Sequence, residues 1–479
     1  MTRHNDGCHV GVQVGAHSVF DEGAEHVVGH LKGTCRATAL HVYAMNGHAY
    51  APWFVAGKQS MDRHARAADH GVQRRARPEA PLTTVWFHSH GRYYEKPEQA
   101  PAEPDRGYGD RDVFDELAEP AARAGVELYA RFCDWGNMLP YVPGMMDWAT
   151  VNADGVRQPY LCPNNPGYRR WYRGVVEDLF RHHASVAGLN FGLERGTPLM
   201  TLLKGEGADC FCEHCCALGE RQGVRADRAR AGYAELAAFV RSVRAGSPPA
   251  DGSFVSFFRI LRNWPEILHW DRQMTDGWQA QCKDLYATVK AVDPSKSVGW
   301  HILQHLSFTP VYRAAFDLAQ WRSHSDWIKP VLYHNCAGER MRNWSIRESA
   351  SVMFADLPPD LRLRVTYSLL GYDGCDLPDG AEMERGGIRG FGPDWVAREV
   401  RRCVAGAAGI PIYAGIGLDI PHTGGEDCTP DSVHACTRAA LDAGAAGIVV
   451  SREYDEMQTR HLEAVGRAVD EYERERTNQ

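Results

Sequence analysis

One rhythm runs through the 479-residue chain and limits its folds sharply. Short apolar runs alternate with amphipathic stretches of helical spacing, and they do so eight times. The runs are VGVQV (10–14), ATALHVYAM (37–45), VELYARFCD (126–134), VAGLNFGLE (186–194), SVGWHIL (297–303), WIKPVLYHN (327–335), IPIYAGIGLD (410–419) and GIVVSREYDE (447–456). Helical spacing follows each one, at 20–33, 112–125, 167–183, 226–244 with 254–292, 309–322, 395–409, 432–447 and 461–475. A strand that feeds a helix before the next strand returns parallel to its neighbour. Eight such units predict a (β/α)8 TIM barrel. A doubly wound open sheet is the other arrangement the alternation permits. The barrel is preferred because polar residues collect where the strands run out, at Glu194, His301, His334, Asp419 and Glu453. That is the end where barrel enzymes keep their active sites. The barrel itself takes about 250 residues. The remainder falls into long loops, chiefly insertions at 46–111 and 338–394 of a single catalytic domain spanning 1–479.

Composition removes several classes of function. Formal net charge is −8 with no long basic run, which argues against a nucleic-acid partner. No apolar run long enough to span a bilayer occurs, and the first residues carry no apolar signal core, so a cytoplasmic protein with no membrane partner is expected. Fourteen cysteines in a chain of this length, without an export signal, fit reduced thiols and one metal site better than a disulfide scaffold. A homo-oligomer is compatible with the sequence. No phosphate-cradling glycine loop, G-x-S-x-G or H-E-x-x-H motif is present, and no organic cofactor is expected.

The stretch from Tyr160 to Glu220 is the most informative for chemistry. Cys210, Cys212 and Cys215 form a C-x-C-x2-C knot, and thiolates this close can hold one side of a tetrahedral zinc ion. Cys162 precedes the 167–183 helix, and a strand-helix-strand return brings it back to the same end, which makes it the candidate fourth ligand. Four protein ligands leave no open position, so the zinc is expected to be structural. Glu194 lies between these cysteines, where the fourth run ends.

This order of features resembles the family 42 glycoside hydrolases, the zinc-containing β-galactosidases. The matching residues are the turn from Cys162 through Pro163, Asn164, Asn165 and Pro166, then Glu194, then Cys210, Cys212 and Cys215. The likeness covers about sixty residues. It implies a barrel glycosidase that uses Glu194 as general acid/base, with a second carboxylate at the end of strand seven. Counting strands puts Asp419 there, and a shift of one strand would select Glu453 instead. The family carries Asn directly before the acid/base glutamate. This chain has Leu193, a departure that bears on sugar preference and on activity itself.

Glycoside cleavage needs two carboxyl groups, close together for retention of configuration and farther apart for inversion. The reading is therefore a retaining hydrolase of a small β-linked glycoside, with Glu194 and either Asp419 or Glu453 as its carboxylates. His88, His90, His301, His334 and Tyr333 are expected to bind substrate hydroxyls; Tyr43, Trp86, Arg92 and Trp300 are weaker candidates by position. Two other functions fit the residues. One is a degenerate barrel that binds carbohydrate without cleaving it. The other is a metal-dependent hydrolase built on the histidines, of which only His88-Ser89-His90 has an H-x-H spacing.

Overall fold

The structure is a computed structural model, and it describes residues 7–46, 84–101, 108–133, 142, 144–385, 388–420 and 428–478. Most of the 46–111 insertion, and the end of the third predicted run at Asp134, lie outside these residues.

Eight parallel strands form the barrel. They are β1 (His9–Val14), β2 (Ala39–Tyr43), β3 (Glu127–Cys133), β4 (Val186–Leu193), β5 (Ser297–Ile302), β6 (Trp327–Pro330), β7 (Tyr413–Gly417) and β8 (Gly447–Ser451). Each pairs with its sequence neighbour, and β1 pairs with β8. The ring closes between β6 and β7 through the bridges Ile328–Ile412 and Val331–Gly415. All eight strands fall within the predicted runs or extend them by a residue at one end. Pro330, which has no N–H to give, ends β6 early.

The side chains of each strand divide by the two-residue period. On β1, Val10, Val12 and Val14 are fully buried, and fully buried Gln13 alternates with them. The interior face is unusually polar. Its middle carries Gln13, His41, Arg131, Asn190, Lys329 and Ser451, all buried. Below them His9, Tyr129, Trp327 and Tyr413 plug the N-terminal end: His9 stacks on Tyr413 at 4.2 Å and Trp327 on Tyr413 at 5.1 Å. Gly299 makes room for the plug, since a Cβ there would lie 2.1 Å from the Trp327 ring.

Two predicted helices are each broken in two. The 254–292 segment divides into Ser253–Asn263 and Glu266–Val292 at Trp264-Pro265, because proline lacks the N–H that would continue the ladder. The 20–33 segment divides at Gly23, whose φ of 89° suits glycine. A third element was not anticipated. Ala149–Val151 pairs with Arg157–Leu161 as a hairpin ahead of the Pro166–His182 helix, which starts on Asn165 as cap and Pro166 at its first position. No helix among the described residues is long and apolar enough to cross a membrane.

Candidate active site

Glu194 follows the last residue of β4 and stands at the C-terminal mouth. Its Oε1 is held from three sides. Arg131 of β3 donates through Nη2 at 2.9 Å, the Cys133 thiol lies at 3.6 Å, and His301 Nε2 of β5 lies at 3.4 Å. Oε2 has no hydrogen-bond partner among the described residues, and the side chain keeps 16% of its surface exposed. One oxygen is thus a fixed anchor, and the other is uncommitted among the described residues.

The anchoring groups are themselves fixed from below. Arg131 is buried, with Nη1 directed to Asn190 at 3.4 Å and its guanidinium over the Tyr43 ring at 5.1 Å. Asn190 meets His41 at 2.9 Å. Burial, reinforced by the charges of Lys329, Arg131 and Arg340, holds His301 well below the usual histidine range, so its ring is neutral. Lys329, sealed in the barrel, donates to Gln13 Oε1 at 2.6 Å and Ser451 Oγ at 2.5 Å, and Tyr333 Oη lies 3.5 Å away. Burial pushes this lysine well down as well.

The two candidate second carboxylates are placed differently. Asp419 adopts a left-handed backbone with φ of 49° just past β7. Both of its oxygens lie 2.9 Å from His461 Nδ1, and Oδ2 also accepts the Gln458 amide at 2.9 Å. Asp419 thus ties β7 to the start of the last helix. Glu453, two residues beyond β8, is buried. A carboxylate oxygen of Glu453, a ring nitrogen of His17 and an oxygen of Asp455 all lie within 4.8 Å of one another. Its charge acts on Tyr43 and on Cys133. Burial pushes the Cys133 thiol up, against the pull of Arg131, and both Glu194 and Glu453 add to the rise.

The predicted sugar-binding residues separate into two groups. His301 and Tyr333 are at the mouth. His334 is next to Tyr333, buried, with neither ring nitrogen hydrogen-bonded among the described residues, and burial lowers it to about 4. His88 and His90 lie elsewhere. The His90 ring bonds Asp178 at 2.8 Å and stacks on His182 at 3.7 Å, both on the outer helix. His88 bonds Asp110 at 2.8 Å, and its amide reaches Asp112 at 2.7 Å. These contacts fasten the insertion to the outside of the barrel. Trp300 points away from the interior and donates to His324 O at 2.8 Å.

The four cysteines of the predicted metal site converge. Cys162 Sγ lies 3.5 Å from Cys215 Sγ and 3.7 Å from Cys212 Sγ, and all four sulfurs are within 4.8 Å of one another. None is in a disulfide. Four sulfurs at 2.3 Å from a tetrahedral ion would be spaced by about 3.8 Å. The donor set and spacing therefore fit zinc. The unpredicted hairpin builds this frame: Cys162 N donates to Trp148 O at 2.8 Å, and Phe211 N donates to Val151 O at 2.6 Å.

Arg131 and Cys133 were not singled out by sequence reasoning. A charged residue at an interior position of an apolar run, as in LYARFC, was the available signal.

No protein-family model matches the chain, and no curated protein matches it. Solved structures do resemble it. The β-galactosidase from the Antarctic haloarchaeon Halorubrum lacusprofundi aligns over 97% of this chain and 58% of its own, with 13% identity and a TM-score of 0.52. The β-galactosidase from the psychrophilic Marinomonas ef1 aligns over 98% of this chain and 60% of its own, with 12% identity and a TM-score of 0.50. This chain thus spans less than two thirds of the length of either. At such identity the likeness shows the shared (β/α)8 barrel fold.

Proposed function

We propose that the barrel is a glycoside hydrolase in which Glu194 is the general acid/base and Glu453 the second carboxylate. The observation that carries the reading is the asymmetry of Glu194, with Oε1 held by Arg131, Cys133 and His301 and Oε2 without a partner among the described residues. A proton shuttle needs a carboxyl group fixed in direction with one oxygen open to the substrate. Its place at the end of β4, the family 42 resemblance around it, and the likeness to the structures of two β-galactosidases support the same reading. In a retaining scheme Glu194 protonates the leaving oxygen while Glu453 attacks the anomeric carbon; Glu194 then takes a proton from the water that releases the sugar. A guanidinium beside Oε1 suits the second step, in which Glu194 is the base. Asp419 is set aside because both of its oxygens are committed to His461 and one also to Gln458.

Glu194→Gln tests the reading with paired substrates. It should slow glycosides with poor leaving groups far more than activated aryl glycosides, and azide should partly restore the latter. Equal loss on both, with no effect of azide, would remove Glu194 from this role.

The cysteine cluster is proposed to hold one structural zinc through Cys162, Cys210, Cys212 and Cys215. With four protein ligands the ion has no open position and takes no part in the chemistry. What it supplies is a cross-link between the 149–161 hairpin and the segment that follows Glu194.

A further inference from the structure

Beside the mouth lies a guanidinium with no acid to balance it among the described residues. Arg340 belongs to the short helix Ala337–Met341 after β6 and is half-buried. Its Nη1 donates to Gln304 Oε1 at 2.7 Å. Gln304 is fully buried, and its own Nε2 donates to Tyr333 O at 3.1 Å, which fixes the amide with its oxygen toward the arginine. The guanidinium carbon lies 4.8 Å from the Trp344 ring and 5.3 Å from the Tyr333 ring. Among the described residues it forms no ion pair and no other hydrogen bond.

This is a costly arrangement to leave unused. Arg313 and Arg402, also partly buried, are matched by the carboxylate of Glu399. Arg340 instead has a neutral amide for its one bond and aromatic rings beside it. A guanidinium has five N–H donors in one plane, so most of its donor edge is unspent. A planar carboxylate meets such an edge with two parallel bonds, and the desolvated surroundings strengthen them. The position is next to the proposed chemistry. Tyr333 and Gln304 follow β6 and β5, and the neighbouring β5 residue His301 touches Glu194 at 3.4 Å.

The geometry points to Arg340 as the receptor for an anionic group on the sugar, a carboxylate in the simplest case, which makes the substrate an acidic glycoside of the uronide type. This rests on the glycosidase reading for turnover, but not for binding.

The experiment has two arms. In the first, calorimetry on the full chain compares glucuronate, galacturonate and galactose 6-sulfate with glucose and galactose. The acidic sugars should bind and the neutral ones should bind at least tenfold more weakly. Arg340→Gln should weaken acidic-sugar binding by about 30-fold, the size expected for a charge-assisted bond, and Arg340→Lys should recover part of it. The tighter of carboxylate and sulfate identifies the group. In the second arm, 4-nitrophenyl uronides and the matching neutral glycosides are assayed, and Arg340→Gln should raise KM for the uronide with kcat nearly unchanged. Acidic-sugar binding lost in Arg340→Gln, with no glycoside turned over by the parent, would sink the hydrolase and keep the receptor. Equal binding of neutral and acidic sugars, or acidic binding unchanged in an Arg340→Gln protein that melts like the parent, overturns the proposal.

Discussion

Arg131 on β3 donates to Oε1 of Glu194 at the end of β4 over 2.9 Å, and the same guanidinium points its other arm at Asn190. The fork matters as much as the charge, because it fixes the orientation of the Glu194 carboxyl group. Arg131→Lys keeps the charge and loses the fork. It is expected to lower kcat on poor-leaving-group glycosides by about 100-fold, the cost of misplacing a catalytic group by roughly an ångström. Activated aryl glycosides should lose much less. A lysine variant with parental kcat on both substrates would show that Arg131 holds the barrel and not the glutamate.

Zinc removal is expected to act on stability. Metal analysis should give one zinc per chain, and Cys212→Ser should lose it. A structural zinc site contributes on the order of 10 kcal/mol, so the variant or the chelated protein should melt about 10 °C lower or more. Parental melting of a metal-free Cys212→Ser protein would contradict the site.

Stability should also fall with rising pH because of Glu456. Burial pushes this carboxyl up to about 7; Arg452 opposes the rise, and Glu453 and Asp455 add to it. The sign follows from proton counts. Above an unfolded pKa of about 4.3 the unfolded chain has lost this proton while the folded chain keeps it, so stability declines until the folded group ionises near 7. Urea midpoints of the parent relative to Glu456→Gln should therefore drop between pH 5 and pH 7 and level off above. A difference that is flat across this range would mean that Glu456 is ionised throughout.

The barrel was legible because a parallel strand buried on both faces must be apolar outward and is bounded by helices, and all eight segments show this. The interior was less legible. Gln13, His41, Arg131, Asn190 and Lys329 look misplaced within apolar strands; only their convergence in one closed tube turns them into a network. The cysteine cluster could be read from spacing, since Cys210, Cys212 and Cys215 are close in sequence, and Cys162 lies one strand-helix-strand unit away. The place of His88 and His90 was not legible, because the sequence does not say which surface a long insertion covers. Their partners Asp112 and Asp178 lie 24 and 88 residues onward. Arg340 gave no signal at all, since its meaning comes from Gln304, Tyr333 and Trp344 meeting around it.

The choice between Asp419 and Glu453 gives the last prediction. Asp419 spends both oxygens on His461, and Oδ2 also accepts the Gln458 amide, so freeing it for attack would detach the last helix from β7. Glu453 lies two residues beyond β8, and its charge acts on Cys133, whose thiol lies 3.6 Å from Glu194. Asp419→Asn keeps an acceptor for the Gln458 amide and weakens the bond to His461. It should cost about 1–3 kcal/mol of stability and leave turnover of activated aryl glycosides close to the parent. Glu453→Ala should instead abolish turnover of activated and unactivated substrates alike, by on the order of 10³-fold or more, because no covalent intermediate can form. A 2-deoxy-2-fluoro glycoside with a good leaving group would trap that intermediate, and peptide mass mapping should find the sugar on the segment containing Glu453. A label on Asp419, or an Asp419→Asn protein that is folded and inactive, would reverse the assignment and return the nucleophile to β7.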